Sequence, residues 1–156
     1  MIKAVFFDVG HTLLCTVPSV GEVYAREART LGAVVDTGEL SNIFSRVFGE
    51  MSASLAASTV GMRASDDQER EMWRTVVHRV HSEFPALHAI HAETWFERLH
   101  DAFGRSDHWR LYPDVQQTLQ GLRRQELQIG LISNWSTRLR VIAEETTLAS
   151  LVDFMI

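Results

Sequence analysis

The sequence predicts an α/β fold: a partial parallel sheet of three strands, with an all-helical block inserted after the first. Three observations predict it. Short apolar runs at Ala4–Phe7, Leu127–Ile132 and Leu151–Ile156 have strand length. The second and third are separated by one helical stretch, the strand–helix–strand rhythm of a parallel sheet. From about residue 17 to 105 every periodic segment is helical and none reads as a strand.

The first run leads into Asp8-Val9-Gly10-His11-Thr12. A short run that is apolar on both faces fits a strand buried in a parallel sheet. Ligands of open α/β sheets bind beyond the carboxyl ends of such strands. Asp8 stands at that end, either as a reactive carboxylate or as the cap of a turn, since Asp with Gly close behind is common turn chemistry.

Thr16-Val17-Pro18-Ser19 is a turn with a helix-start signal. A first helix is expected over Val20–Leu31, stopped by Gly32. A second runs from after Asp36-Thr37 to Ala57, with Leu40, Ile43, Phe44, Val47, Phe48, Met51 and Leu55 at helical spacing. A small-residue loop with Gly61 covers 58–65. A third helix starts at Asp66-Asp67, whose charges suit a helix N-terminus, and ends at Phe84-Pro85. Its apolar stripe is Met72, Trp73, Val76, Val77 and Val80. A fourth covers Ala92–Phe103 with Trp95, Phe96 and Leu99. Beyond Trp109, Pro113 stands where a first-turn proline is tolerated and opens a helix over Val115–Gln125. The second strand ends in Ser133-Asn134, and a helix over Thr137–Glu145 leads to the third. The expected division is therefore an α/β core of 1–15 and 108–156, and a helical cap of 17–105 placed to close over the strand ends as a lid.

At 156 residues, 46% apolar and 22% charged, the chain has the composition of a globular protein. Its net charge of −5 argues against nucleic acid as a partner, which needs a basic face. No apolar run reaches membrane-spanning length. The single cysteine, Cys15, excludes an internal disulfide and points to a reducing, cytoplasmic compartment; its expected place is in packing.

In a parallel sheet, Asp8-Gly10-Thr12 and Ser133-Asn134 share one edge. A carboxylate there can attack as a nucleophile or bind a divalent cation. A hydroxyl and backbone N–H groups at a helix start suit phosphate oxygens. With these residues in place, the chain resembles the haloacid dehalogenase-like (HAD) hydrolase superfamily. Phe6-Phe7-Asp8-Val9-Gly10-His11-Thr12-Leu13-Leu14 is similar to its first motif and Leu131-Ile132-Ser133-Asn134 to its second. Tyr112-Pro113-Asp114-Val115, Phe154 after Asp153 and the inserted helical block also match its habit, and Trp73 with Val76-Val77 resembles the dehalogenase-like caps.

The resemblance implies a Rossmann-like core and a hydrolase acting on a small phosphorylated or halogenated substrate. Asp8 would be nucleophile and metal ligand, Thr12 would brace the loop, and Ser133 and Asn134 would bind the transferring group. The Gly10 carbonyl would join Asp8 in ligating Mg2+. Two departures follow. Gly10 stands where phosphatases of the family carry a second aspartate as general acid and base, help worth about two to four powers of ten; His11 is the neighbour that titrates near neutrality. The lysine and acidic pair that follow the family's third strand have no match here. The expectation is a shortened member whose small core is marginal alone. Its Ala4–Phe7 edge would be relieved by the cap, by a homodimer through that strand, or by swapping. The competing expectation is a non-catalytic interaction or oligomerisation module.

The remaining candidates read as structure. His78/His81 and His88/His91 have zinc-compatible spacing without a cysteine and are expected on cap surfaces. Trp73, Trp95 and Trp109 are expected in packing, whereas Trp135, directly after Asn134, is placed to wall a pocket. Arg123 and Arg124 read as a solvated face, and Arg138 is within reach of an anionic ligand.

Overall fold

The computed structural model describes residues 2–57 and 65–156, with the side chains of 55–57 excepted. The loop expected over 58–65, apart from Ser65, lies outside the described residues, as does the side chain of Leu55. The chain divides into two compact units, Met1–Val17 with Phe103–Ile156, and Pro18–Ala102.

The first unit holds a three-stranded parallel sheet in the order β1 (Ala4–Phe7), β4 (Gln128–Leu131), β5 (Phe154–Met155). Phe7 pairs with Leu131, and Gly130 with Phe154. The crossovers carry α5 (Val115–Arg124) and α6 (Arg138–Glu145). Both helices pack on one face of the sheet, where Val9, Leu119, Ile129, Leu131, Ile142 and Leu148 form a closed core. The last strand is shorter than its apolar run, because Leu148–Leu151 winds into a 3-10 turn. Asp153 makes up for part of the missing ladder. Its N–H donates to the Ile129 carbonyl at 2.8 Å, and its Oδ2 accepts the Ile129 N–H at 2.7 Å. Arg123, expected to be solvated, donates to Asp153 Oδ1 and to the Ser150 carbonyl, both at 3.0 Å.

Burial on both faces is not what β1 shows. Phe6 is 47% exposed, and Ile132 and Ile156 on the same face are 54% and 71% exposed. The rings of Phe6 and Phe154 meet edge to face at 5.2 Å across Gly130. A Cβ on Gly130 would stand 2.3 Å from one ring and 2.7 Å from the other, so only glycine lets them close. Among the described residues no strand pairs with the outer edge of β1.

A second, antiparallel ribbon was not expected. It pairs β2 (Leu14–Thr16) with β3 (Trp109–Leu111), Thr16 facing Trp109. Three-residue strands carry too little alternation to read from sequence. Val17 N–H extends the ribbon by donating to the His108 carbonyl at 2.9 Å. Pro113 lies one residue ahead of the cap residue Asp114, not within the first turn of α5.

The second unit is helical. In α1 (Val20–Thr30), Ser19 and Glu22 form a capping box. Gly32, at φ 100°, ends the helix: its N–H reaches the Arg29 carbonyl and that of Ala33 the Ala28 carbonyl. The other helices are α2 (Thr37–Ala57), α3 (Asp66–Glu83), capped by Ser65, and α4 (Ala92–Phe103). Their stripes meet in a chain of rings, Trp95 to Tyr24 to Phe44 to Phe48 to Trp73, with centroids 4.9–5.7 Å apart. Trp95 is fully buried and donates its indole N–H to the Tyr24 carbonyl. Arg46 and Arg79 both bridge Glu50 and Glu83, tying α2 to α3. The histidines make local bonds: His78 to Glu93, His81 to the Ile90 carbonyl and His88 to the Ser82 carbonyl.

Candidate active site

Asp8 is the first residue beyond β1, and its neighbours explain why it is held. Val9, Leu13 and Leu14 are buried and anchor the loop in the core. The Val9 carbonyl accepts the N–H groups of Leu13 and Leu14 at 2.9 and 3.0 Å, and His11 N–H donates to the Leu14 carbonyl at 2.8 Å. His11 takes the left-handed conformation, φ 59°, that this tight return needs. The return brings Thr12 onto Asp8, Oγ1 donating to Oδ2 at 3.1 Å. Asp8 and Thr12 are exposed and Gly10 is half-buried, so the carboxylate is accessible on a constrained loop.

The second loop is carried by the neighbouring strand. Ile132 N–H donates to the Phe7 carbonyl at 2.9 Å, which places the residues after β4 beside those after β1. Ser133 is half-buried and Asn134 exposed. Ser133 Oγ accepts the Trp135 N–H at 3.3 Å, so its own O–H is left to donate. Ser136 is buried just ahead of α6, and Arg138 Nε donates to its Oγ at 2.9 Å.

The two loops meet through an aromatic ring. A Cβ on Gly10 would lie 3.2 Å from Trp135 Nε1 and 3.3 Å from Cζ2. The Trp135 ring also packs on Trp109, centroids 4.5 Å apart. Sequence reasoning placed Trp135 next to the site but missed its contact with Gly10, which joins two strand ends far apart in the chain. The structure thus brings Asp8, Gly10 and Thr12 together in one loop and Ser133, Asn134 and Trp135 in the adjacent one. Across residues 8–14 and 132–137 the carboxylate and imidazole side chains are those of Asp8 and His11. Among the described residues no three of His, Cys, Asp and Glu cluster as a metal cage.

Comparison with known proteins identifies the family. The family model for haloacid dehalogenase-like hydrolases matches residues 2–155. The bovine haloacid dehalogenase-like hydrolase domain-containing protein 3 is 26% identical over 155 residues, covering 99% of this chain and 61% of the relative. Among solved structures, the L-2-haloacid dehalogenase RSc1362 superposes with a TM-score of 0.65 at 20% identity, over 99% of this chain and 63% of that one. L-2-haloacid dehalogenase from Xanthobacter autotrophicus gives 0.64 at 22%, over all of this chain and 56% of that one. The chain thus spans about three fifths of the length of these relatives. The fold, the order of its strand-end motifs and the match along nearly the whole chain place this protein in the haloacid dehalogenase-like hydrolase family.

Proposed function

We propose that Asp8 is the nucleophile of a hydrolytic site acting on a small phosphorylated or halogenated substrate. The observation that carries this reading is the Thr12–Asp8 hydrogen bond, which orients an exposed carboxylate at the end of β1, beside the Ser133-Asn134 loop. One oxygen of Asp8 is held by Thr12, and the other is available to attack. Ser133 O–H, the Asn134 amide and the backbone N–H groups of that loop supply donors for the transferred group.

A magnesium ion fits these residues in one form. The donors are one Asp8 oxygen and the Gly10 carbonyl, which takes no part in the backbone bonds of the loop. Two protein oxygens suit an ion that keeps waters and takes its other ligands from substrate phosphate, as Mg2+ does. Bound there by Asp8 and Gly10, it would neutralise phosphate charge. The net charge of −5 and the single cysteine support a small-molecule substrate and a cytoplasmic setting.

The test is turnover of small phosphate esters and 2-halo acids by the chain and by Asp8→Asn. The substitution is expected to abolish turnover with the fold intact; turnover that survives it sinks the proposal. A second reading is favoured by the exposed face of Phe6, Ile132 and Ile156 and by the edge of β1, which no strand among the described residues pairs: a non-catalytic module that pairs with a second copy through β1. A monomer at all concentrations in light scattering excludes it.

A further inference from the structure

The first unit also carries a groove of about 300 Å³ that is lined by none of the residues of the Asp8 and Ser133 loops. Its walls include Trp109, Arg110 and Leu111 from β3, and Glu145 and Thr147 from the end of α6. That volume is at the lower end for small-molecule pockets and suits a ligand of amino-acid size. Two opposite charges line it without meeting. Arg110 Nη1 donates to the Ser106 and Trp109 carbonyls at 3.2 and 2.8 Å, which pins the guanidinium to the chain. Its Nε and Nη2 have no acceptor among the described residues. That pair of N–H groups is the edge that matches a carboxylate. Glu145 has no hydrogen bond or ion pair among the described residues, with Arg110 or with any other. It closes α6, whose last turn holds no basic residue, so its charge adds to the negative end of the helix dipole and favours a cation there. Thr147 is strained. It takes φ 67°, a left-handed conformation that glycine commonly fills at helix ends and that a β-branched residue seldom adopts. Its hydroxyl has no partner among the described residues. Backbone strain of this kind clusters where a side chain serves a ligand.

We propose that this groove is a binding site for a small zwitterion, an α-amino acid with an apolar side chain. Arg110 Nε and Nη2 donate to its carboxylate. Glu145 accepts from its ammonium group, and Thr147 Oγ1 accepts a further ammonium N–H. Trp109 and Leu111 bound the side chain. A lone anion in the groove meets the charge of Glu145 and a lone cation that of Arg110, so a molecule that carries both charges satisfies the walls best. Binding makes and breaks no covalent bond, and the site stands whether or not Asp8 is a nucleophile.

The experiment is calorimetric titration of the full chain with leucine, with isocaproate, which lacks the ammonium group, and with isoamylamine, which lacks the carboxylate. Leucine is expected to bind roughly 10-fold or more tighter than either, the worth of one hydrogen bond to a charged group. Arg110→Gln, Glu145→Gln and Thr147→Gly are each expected to weaken leucine. Arg110→Gln is expected to leave isoamylamine no weaker, and Glu145→Gln to leave isocaproate no weaker, because each substitution removes the charge that opposes that probe. Circular dichroism and melting establish that the variants fold. Thr147→Gly is expected to raise Tm, since glycine takes the left-handed conformation without strain. A native chain that does not bind leucine, a singly charged probe bound as tightly as leucine, or leucine binding undiminished by Arg110→Gln or Glu145→Gln overturns the proposal. So does a Thr147→Gly chain that is more stable and binds leucine unchanged.

Discussion

Gly21→Ala sets helix propensity against packing, and the structure decides the sign. In an isolated helix the change favours folding by about 1 kcal/mol. Here Gly21 lies buried where α1 meets α2. A Cβ would stand 1.7 Å from Ser41 Oγ, 2.8 Å from its Cβ and 3.2 Å from its Cα. The hydroxyl is engaged, donating to the Thr37 carbonyl at 2.7 Å. Rotating it away forfeits about 1 kcal/mol and leaves the contacts with Cβ and Cα, which only a shift of the helix relieves. Overpacking of that kind costs about 1–3 kcal/mol. Against the propensity gain, the net loss is about 1–3 kcal/mol. For a cooperative unit of this size each kcal/mol lowers Tm by roughly 4–8 °C. Urea unfolding followed by the fluorescence of Trp73 and Trp95 measures the loss in the unit that carries it. Ser41→Gly removes both clashing side-chain atoms, so Gly21→Ala is expected to cost much less in that background. A Gly21→Ala chain as stable as the native one, or a loss undiminished by Ser41→Gly, refutes the reasoning.

Two further predictions follow from carboxylates held below their ordinary range. Arg79 and Arg46 lower Glu50, Arg46 and Arg79 lower Glu83, and Arg70 lowers Glu97. A folded-state pKa below the unfolded one stabilises at neutral pH and is lost on acidification. Helical circular dichroism is therefore expected to lose stability as pH falls below roughly 4.5, the ordinary carboxylate range, and less steeply in Arg79→Ala; a slope unchanged by that substitution contradicts the assignment. Asp153 is likewise lowered, by the Ile129 N–H and by Arg123. Asp153→Ala removes the acceptor of the Ile129 N–H, so hydrogen exchange at that amide is expected to quicken, with Asp153→Asn intermediate. Unchanged protection at Ile129 means that the ladder does not depend on this side chain.

The parts legible in the sequence are those encoded by nearby residues. The stripes of α1 to α4, the Ser19 cap and the Gly32 stop are periodic or local, and they read directly. The three parallel strands were legible as apolar runs, the last two on either side of α6. What escaped depends on residues far apart in the chain. The β2–β3 ribbon joins Thr16 to Trp109 across the whole helical unit, and three-residue strands carry no period of their own. Arg123 looked like a surface charge because its partner Asp153 is 30 residues away. In the candidate site, the order of Asp8, Thr12, Ser133 and Asn134 could be read. The contact of Trp135 with Gly10 could not, since it is made by a ring from one strand end reaching over the backbone of another. The exposure of Phe6 was missed for the same reason: apolar character on both faces of a strand says nothing of which face a helix covers.

The short ribbon has a consequence for how such a chain can diverge. Because Thr16 faces Trp109 and Val17 bonds to His108, the helical unit leaves the core and re-enters it through a hydrogen-bonded stem. Whatever is spliced between the two arms of that stem inherits a closed entrance, and the register of β1 against β4 is untouched by its length. The helical unit is in that sense a cassette: a change in its length falls between two arms that the ribbon within the first unit already joins.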